Sequence, residues 1–429
     1  MTLKAIRADF LHCLADPGAG AGATACEDLA DGLLVIRDGL IDGLQPAATL
    51  LPLLGGDIEI EDWRGHLVVP GFVDTHAHYP QVDVIASHAT QLLDWLERYT
   101  YPEERKFAER SHAEAVATFF LDRLIENGTT TAAVFCTVHP QSAEAFFAAA
   151  EQRNLRMIAG KCLMDRHCPE YLRDTAESAY RESKALIERW HGKGRLGYAI
   201  TPRFAPTSTP AQLAACGRLA REHPDTWIQS HVAESKSEVT WARELFPGSR
   251  SYLDVYDRAG LLRERAVYGH CIWLDDADRA RMAASGTAAA FCPTSNLFLG
   301  SGLYDYRQAS AAGVTTGLAT DVGGGTSYSM LTTMAEGYKV QQLLGTNLHP
   351  AELLYLATLA GAQALGLAHR IGNFAPGKEA DFAVLAPAAT PQLARRTGLR
   401  ENALDRFFAL MMLGDKRAVA ATYVMGNRF

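Results

Sequence analysis

Between about residue 68 and residue 370, short apolar runs alternate with longer stretches of helical periodicity. Eight apolar runs read as strands, at 72–78, 130–138, 156–164, 197–205, 227–234, 265–273, 287–295 and 315–322. Near-continuous apolar character over so few residues is what a strand buried on both faces looks like. Helical candidates fill the gaps at 113–126, 142–152, 175–190, 210–222, 236–245, 275–285 and 304–312, and two longer ones follow at 331–344 and 350–364. Strand and helix alternating over about 300 residues predict a parallel sheet closed as an α/β (β/α)8 barrel.

Outside that region the pattern changes. Residues 1–67 read as short strands at 6–14, 33–37, 41–44 and 58–62, separated by Gly/Ala/Pro-rich segments such as 17–22. Strands are expected again at 380–385 and 418–425. Chain ends often lie close together, so 1–67 and 376–429 are expected to pair into one small β-sandwich domain beside a barrel spanning 68–375. Pro70-Gly71 marks the passage between them, because Pro cannot donate to a ladder and Gly permits a turn.

Composition matters mainly through what it excludes. A hydrophobic share of 48% and a charged share of 21% are ordinary for a globular chain. The net charge of −8, with both signs interspersed, argues against a nucleic-acid surface. No apolar run is long enough for a membrane span, and the first residues lack the apolar core of a signal peptide. The eight cysteines are scattered without Cys-x-x-Cys spacing, so free thiols and a cytoplasmic location are expected.

Chemistry concentrates where the strands end. In such barrels the active site lies at the C-terminal rim. The first strand ends in His76-Ala-His78; successive side chains on a strand alternate faces, so the two imidazoles point the same way, about 6–7 Å apart at the backbone. Strands five, six and eight bring His231, His270 and Asp321 to the same rim. One histidine on an apolar strand is usually a hydrogen-bonded core residue, but four strand ends carrying such groups together are hard to explain that way. Imidazoles with a carboxylate suit a borderline divalent ion, most simply Zn²⁺, with Fe²⁺ or Mn²⁺ also compatible. An open mouth ringed by acid–base groups favours a catalytic over a structural site.

These residues resemble the amidohydrolase superfamily. The chain is further similar to the branch of that family whose members deaminate guanine. The likeness is carried by Pro70-Gly-Phe-Val-Asp-Thr-His-Ala-His-Tyr-Pro-Gln81, Leu92-Leu-Asp-Trp-Leu-Glu-Arg-Tyr-Thr-Tyr-Pro102, Asn127-Gly-Thr-Thr-Thr131, Thr201-Pro-Arg-Phe204, Gln229-Ser-His-Val-Ala-Glu234 and Gly317-Leu-Ala-Thr-Asp-Val-Gly-Gly324. The resemblance implies one zinc held by His76, His78, His231 and Asp321, with His270 beside the activated water. It implies hydrolytic deamination at C2 of guanine. Asp321 would take the proton of water, while Glu234 would protonate N3 and carry a proton to the departing amine. It also implies a homodimer.

Specificity needs a group that reads O6. Arg203 is the candidate, since a guanidinium only donates hydrogen bonds. Gln81 is expected on the N1/O6 edge or the imidazole side of the base. Phe204 and Trp95 are expected to sandwich the ring, and Tyr101 to line the pocket. Two rivals stand beside this reading: an aminohydrolase of another heterocycle (pterin, triazine, cytosine or modified purine), and a barrel that has lost catalysis and serves as a scaffold. His112-Ala-Glu114 imitates the His-x-Glu of cytidine-deaminase-type zinc enzymes but has no Pro-Cys-x-x-Cys partner. Lys161 is considered as the bridging lysine of a two-metal centre and set aside, because no lysine stands at the usual strand-four position. Cys271 and Cys292 are expected to pack, and Thr294-Ser-Asn296 to hydrogen-bond around the metal centre.

Overall fold

The structure, a computed structural model, describes residues 2–18, 25–55, 58–88, 90–399 and 402–429. The amino-terminal segment forms β1 (Leu3–Cys13), β2 (Cys26–Arg37), β3 (Leu40–Pro46) and β4 (Glu59–Pro70). The central region forms β5 (Phe72–His78), β6 (Thr129–Phe135), β7 (Arg156–Gly160), the short β8 (Cys162–Leu163), β9 (Gly197–Pro202), β10 (Trp227–Val232), β11 (Ala266–His270), β12 (Ala288–Phe291) and β13 (Thr316–Leu318). The carboxyl end adds β14 (Phe382–Leu385), β15 (Val419–Val424) and β16 (Asn427–Arg428).

β5, β6, β7, β9, β10, β11, β12 and β13 follow one another in that order, each pair parallel. The ring closes next to the site: Asp321 N donates to His76 O at 2.9 Å and Thr75 Oγ1 to Leu318 O at 3.0 Å. This is the (β/α)8 barrel that the alternating pattern predicts. Its interior is packed, with Val73, Ile158, Trp227 and Val267 meeting a layer of alanines. From below, Trp227 Nε1 donates to Leu365 O at 2.8 Å.

The terminal strands form one mixed sheet in the order β16-β15-β14-β4-β1-β2-β3, so both chain ends share it. β4 runs on to Pro70, where Phe382 faces it, and β5 starts two residues later. Gly71 N donates to Asp381 O at 3.0 Å at this crossing. Arg156 and Arg195 of the barrel reach Glu379 just before β14, through bonds of 2.7 and 2.6 Å. Part of the Gly/Ala segment expected as a turn, 19–22, lies outside the described residues.

Three differences from the expected elements bear on function. The stretch after β5, for which no element is expected, is helical over Tyr79–Val84 and again from Leu92 to Ala108. The helix expected over 350–364 breaks at Thr358 (φ −131°, ψ −90°), and its second part, Leu359–Ala364, contributes Ala362 and Ala364 to the barrel's inner core. The carboxyl segment, expected only as strands, also contains helices Pro391–Thr397 and Ala403–Leu413. The second buries Phe407, Leu410 and Met411 in the layer outside the barrel.

Candidate active site

His76, His78, His231, His270 and Asp321 converge at the carboxyl rim. His78 Nε2 lies 3.1 Å from both His76 Nε2 and His231 Nε2, and Asp321 Oδ1 lies 3.4 Å from the Nε2 atoms of His76 and His78. His270 Nε2 is 3.8 Å from Asp321 Oδ2 and 3.3 Å from Glu234 Oε2. Ligand atoms about 2.0–2.2 Å from a common zinc stand roughly 3–3.5 Å apart, so this spacing fits one ion. His231 Nδ1 donates to Arg203 O at 2.6 Å, which leaves its Nε2 as a lone pair. Such an outward hydrogen bond fixes the tautomer a metal ligand needs. His270 Nδ1 meets Asn296 Oδ1 at 2.9 Å, while its buried Nε2 has no hydrogen-bond partner among the described residues. Several imidazole lone pairs and one carboxylate facing each other in a buried space are a donor set for a divalent cation.

The backbone aims these groups. Ala233, His270 and Asp321 adopt positive φ values of 52°, 71° and 50°. This left-handed conformation is uncommon for residues with a Cβ and is found where surrounding structure enforces it, often at active sites. It is also why the strands expected to run to 234 and 273 stop at Val232 and His270. Gly269 makes room for the first ligand: a Cβ there would stand 2.7 Å from His76 Cε1. Below the ligands, buried Asp74 accepts from Thr320 N at 3.0 Å and from the Thr320 hydroxyl, joining β5 to the residue before Asp321.

Charge is arranged unevenly. Burial drives the imidazole of His78 down to about 4 and that of His231 well below its usual value, so both are neutral. Burial opposes the charge of Asp321, but His76 and His78 hold its carboxyl well below the usual range. Glu234 behaves oppositely: burial, and then the charge of Asp321, push it up to about 8. One carboxylate is thus ionised and its neighbour protonated at neutral pH, the division expected of a base and an acid. Ser301 Oγ donates to Glu234 Oε1 at 2.8 Å.

A cavity opens on this cluster. Gln81, Trp95, Arg203, Phe204 and Glu234 line it together with metal-capable residues. Trp95 Nε1 is buried without a partner among the described residues. Tyr101 stands away from the cavity wall, with the Arg203 guanidinium 5.4 Å from its ring centroid, so it backs the arginine.

The remaining candidates fall elsewhere. His112 lies on the helix Arg110–Glu126 against the Phe107 ring. Lys161 is buried and paired with Asp174, so its charge is satisfied away from the rim. Cys271 and Cys292 are buried thiols whose pKa burial raises. Glu104, Glu238, Ser301 and Gly269 escape sequence reasoning. Asp74, one pleat before His76 on the same face of the strand, is within its reach.

Fold and site together define a hydrolase barrel with a metal-capable centre, and residues 67–428 match the amidohydrolase family. The chain belongs to that family. Within it the chain belongs with the guanine deaminases: it is 48% identical over 429 residues to guanine deaminase of Escherichia coli (strain K12), covering 99% of this chain and 97% of that one. The solved structure of E. coli guanine deaminase superposes with a TM-score of 0.97, at 47% identity and 99% coverage of both chains. A guanine deaminase from C. acetobutylicum, solved with guanine bound in its active site, matches with a TM-score of 0.90 at 26% identity, covering 100% of each chain.

Proposed function

We propose that this protein hydrolyses guanine to xanthine and ammonia with one zinc ion held by His76, His78, His231 and Asp321. The observation that carries this reading is the placing, in one cavity, of the buried Glu234 carboxyl beside the ligand cluster and of a buried Arg203 guanidinium. Its support outside the molecule is the full-length likeness to guanine deaminases.

Zinc, when bound here, would supply the Lewis acidity that makes a water reactive near neutral pH. The protein supplies the rest. Asp321, ionised, takes the proton of the attacking water. Glu234, protonated, donates to N3 and makes C2 electrophilic; its carboxylate then takes the proton of the hydroxyl now on C2 and passes it to the exocyclic nitrogen, and the proton held by Asp321 returns Glu234 to its starting state. The water oxygen bonds to C2, the C2–N bond breaks, and ammonia leaves. His270 Nε2 accepts a hydrogen bond from the water, with its ring held by Asn296. Arg203 donates to O6, and Phe204 and Trp95 hold the plane of the base.

Xanthine formation and ammonia release from guanine test the reaction; absence of both from zinc-loaded protein rejects it. Arg203→Met tests the reader, with C2 deamination of guanine and of 2,6-diaminopurine measured side by side. An unchanged guanine preference removes the arginine from that role. The eight free cysteines support a reducing compartment, and a cytoplasmic location is part of this reading. Among the described residues, no helix is long and apolar enough to cross a membrane. A homodimer rests on the family resemblance, and sedimentation of the native protein reads it.

A further inference from the structure

Glu104 is a carboxylate with only 1% of its surface exposed, on the helix Tyr101–Glu104. Arg203 Nη1 donates to its Oε1 at 2.9 Å and to its Oε2 at 2.8 Å. Gln81 Nε2 donates to the same Oε1 at 3.0 Å. One buried acid therefore holds two polar side chains of the cavity wall, Arg203 and Gln81. We infer that Glu104 is the positioning residue that sets the purine specificity of this site, by fixing which hydrogen-bonding atoms Arg203 and Gln81 show to the base. The inference rests on guanine being the substrate.

With Nη1 committed to Glu104, Arg203 keeps Nε and Nη2, neither of which bonds another group among the described residues. They are donors. With Nε2 committed to Glu104, the Gln81 amide is turned so that Oε1 faces the Gly323 N–H, at 3.4 Å, and has acceptor capacity left. A donor beside an acceptor is the complement of a 6-oxo purine, whose O6 accepts and whose N1–H donates. A 6-amino purine presents the reverse order, donor then acceptor, and meets like against like at both places. If the amide of Gln81 turned over, its Nε2 would suit the N1 acceptor of a 6-amino purine. The Glu104 carboxylate, which can only accept, forbids that turn. Tyr101 backs the arginine from the other side.

The test compares guanine with 2,6-diaminopurine, which has the same 2-amino leaving group and differs only at the edge being read. Both are assayed on one preparation by the appearance of the 2-oxo product, xanthine from guanine and isoguanine from 2,6-diaminopurine, so the ratio of their kcat/KM values does not depend on the fraction folded. Wild type should strongly prefer guanine. Glu104→Gln, which keeps the shape but can donate to Gln81, should lower the ratio by about tenfold or more. Most of the loss should appear in KM for guanine, with kcat for 2,6-diaminopurine little affected. Glu104→Asp should restore part of the ratio. In an Arg203→Met background Glu104→Gln should change the ratio much less, because one of the groups it positions is gone. A ratio within twofold of wild type in Glu104→Gln, with both substrates slowed alike, overturns the inference and leaves Glu104 a structural acid. So does a wild type that turns over guanine without preferring it. A wild type inactive on guanine overturns the substrate reading instead.

Discussion

Ser301 Oγ and Glu234 Oε1 are joined by a 2.8 Å hydrogen bond that ties the loop after the helix Pro293–Phe298 to the proposed proton carrier. The loop is itself anchored, since Trp273 Nε1 donates to Ser301 O at 3.0 Å. Glu234 Oε2 is left on the side of His270, 3.3 Å away. The serine lowers the Glu234 pKa against burial and the charge of Asp321, which raise it. Removing the hydroxyl should therefore raise the pKa further. Glu234 acts as an acid and must be protonated to begin the reaction, so the basic limb of kcat/KM should move to higher pH in Ser301→Ala. A pH profile of both enzymes checks the sign.

Glu234→Gln should retain zinc, because Glu234 is outside the proposed ligand set, and should lose about 10²–10⁴ in kcat. Metal analysis and steady-state rates on the same sample check both halves. Full activity in the variant removes Glu234 from the mechanism.

Gly269→Ala would set a methyl group 2.7 Å from His76 Cε1 and 3.0 Å from its Nδ1. The imidazole is buried and tied to the cluster, so it must rotate away from its position. We expect zinc affinity to fall about 10–100-fold, the range found when a ligand loses its orientation. Competition with a chromogenic chelator measures this directly.

Stripping the metal should lower the melting temperature as well as abolish turnover, since an ion bound only by the folded state stabilises it. Neutral His78 and His231 lone pairs and ionised Asp321 are then left facing one another. Zinc added back to the dialysed protein should restore both the transition and the rate.

Glu379→Ala should destabilise the join between terminal sheet and barrel. Buried Arg156 would lose its carboxylate partner, a change that typically costs about 3–5 kcal/mol, while Arg195 would keep only Asp381. Burial alone would raise the Glu379 carboxyl; the two arginines hold it below its ordinary 4.5. Its stabilisation is thus present above that value and lost as the pH falls through the lower folded one. Acid unfolding monitored by circular dichroism should start at higher pH in the variant.

The barrel and the metal-capable cluster were legible because each rests on a local pattern. Buried parallel strands are apolar on both faces, so their lengths and order show along the chain, and a barrel collects whatever polar residues stand at their carboxyl ends. His76, His78, His231, His270 and Asp321 stand at such ends. The supporting residues had no comparable signal. Glu104 belongs to the run Glu103-Glu104-Arg105-Lys106, which reads as a solvated charged face, and Lys106 is indeed 54% exposed. Only the fold, by bringing the helix after β5 to the end of β9, sets the Glu104 carboxylate against Arg203, 99 residues away. Ser301 meets Glu234 across 67 residues for the same kind of reason. Alternation and composition are properties of neighbours along the chain, so they determined which elements form and which rim carries the chemistry. Which carboxylate is charged, which amide atom faces the cavity and which loop steadies the acid depend on burial and on partners distant in sequence, and the tertiary structure alone decided them.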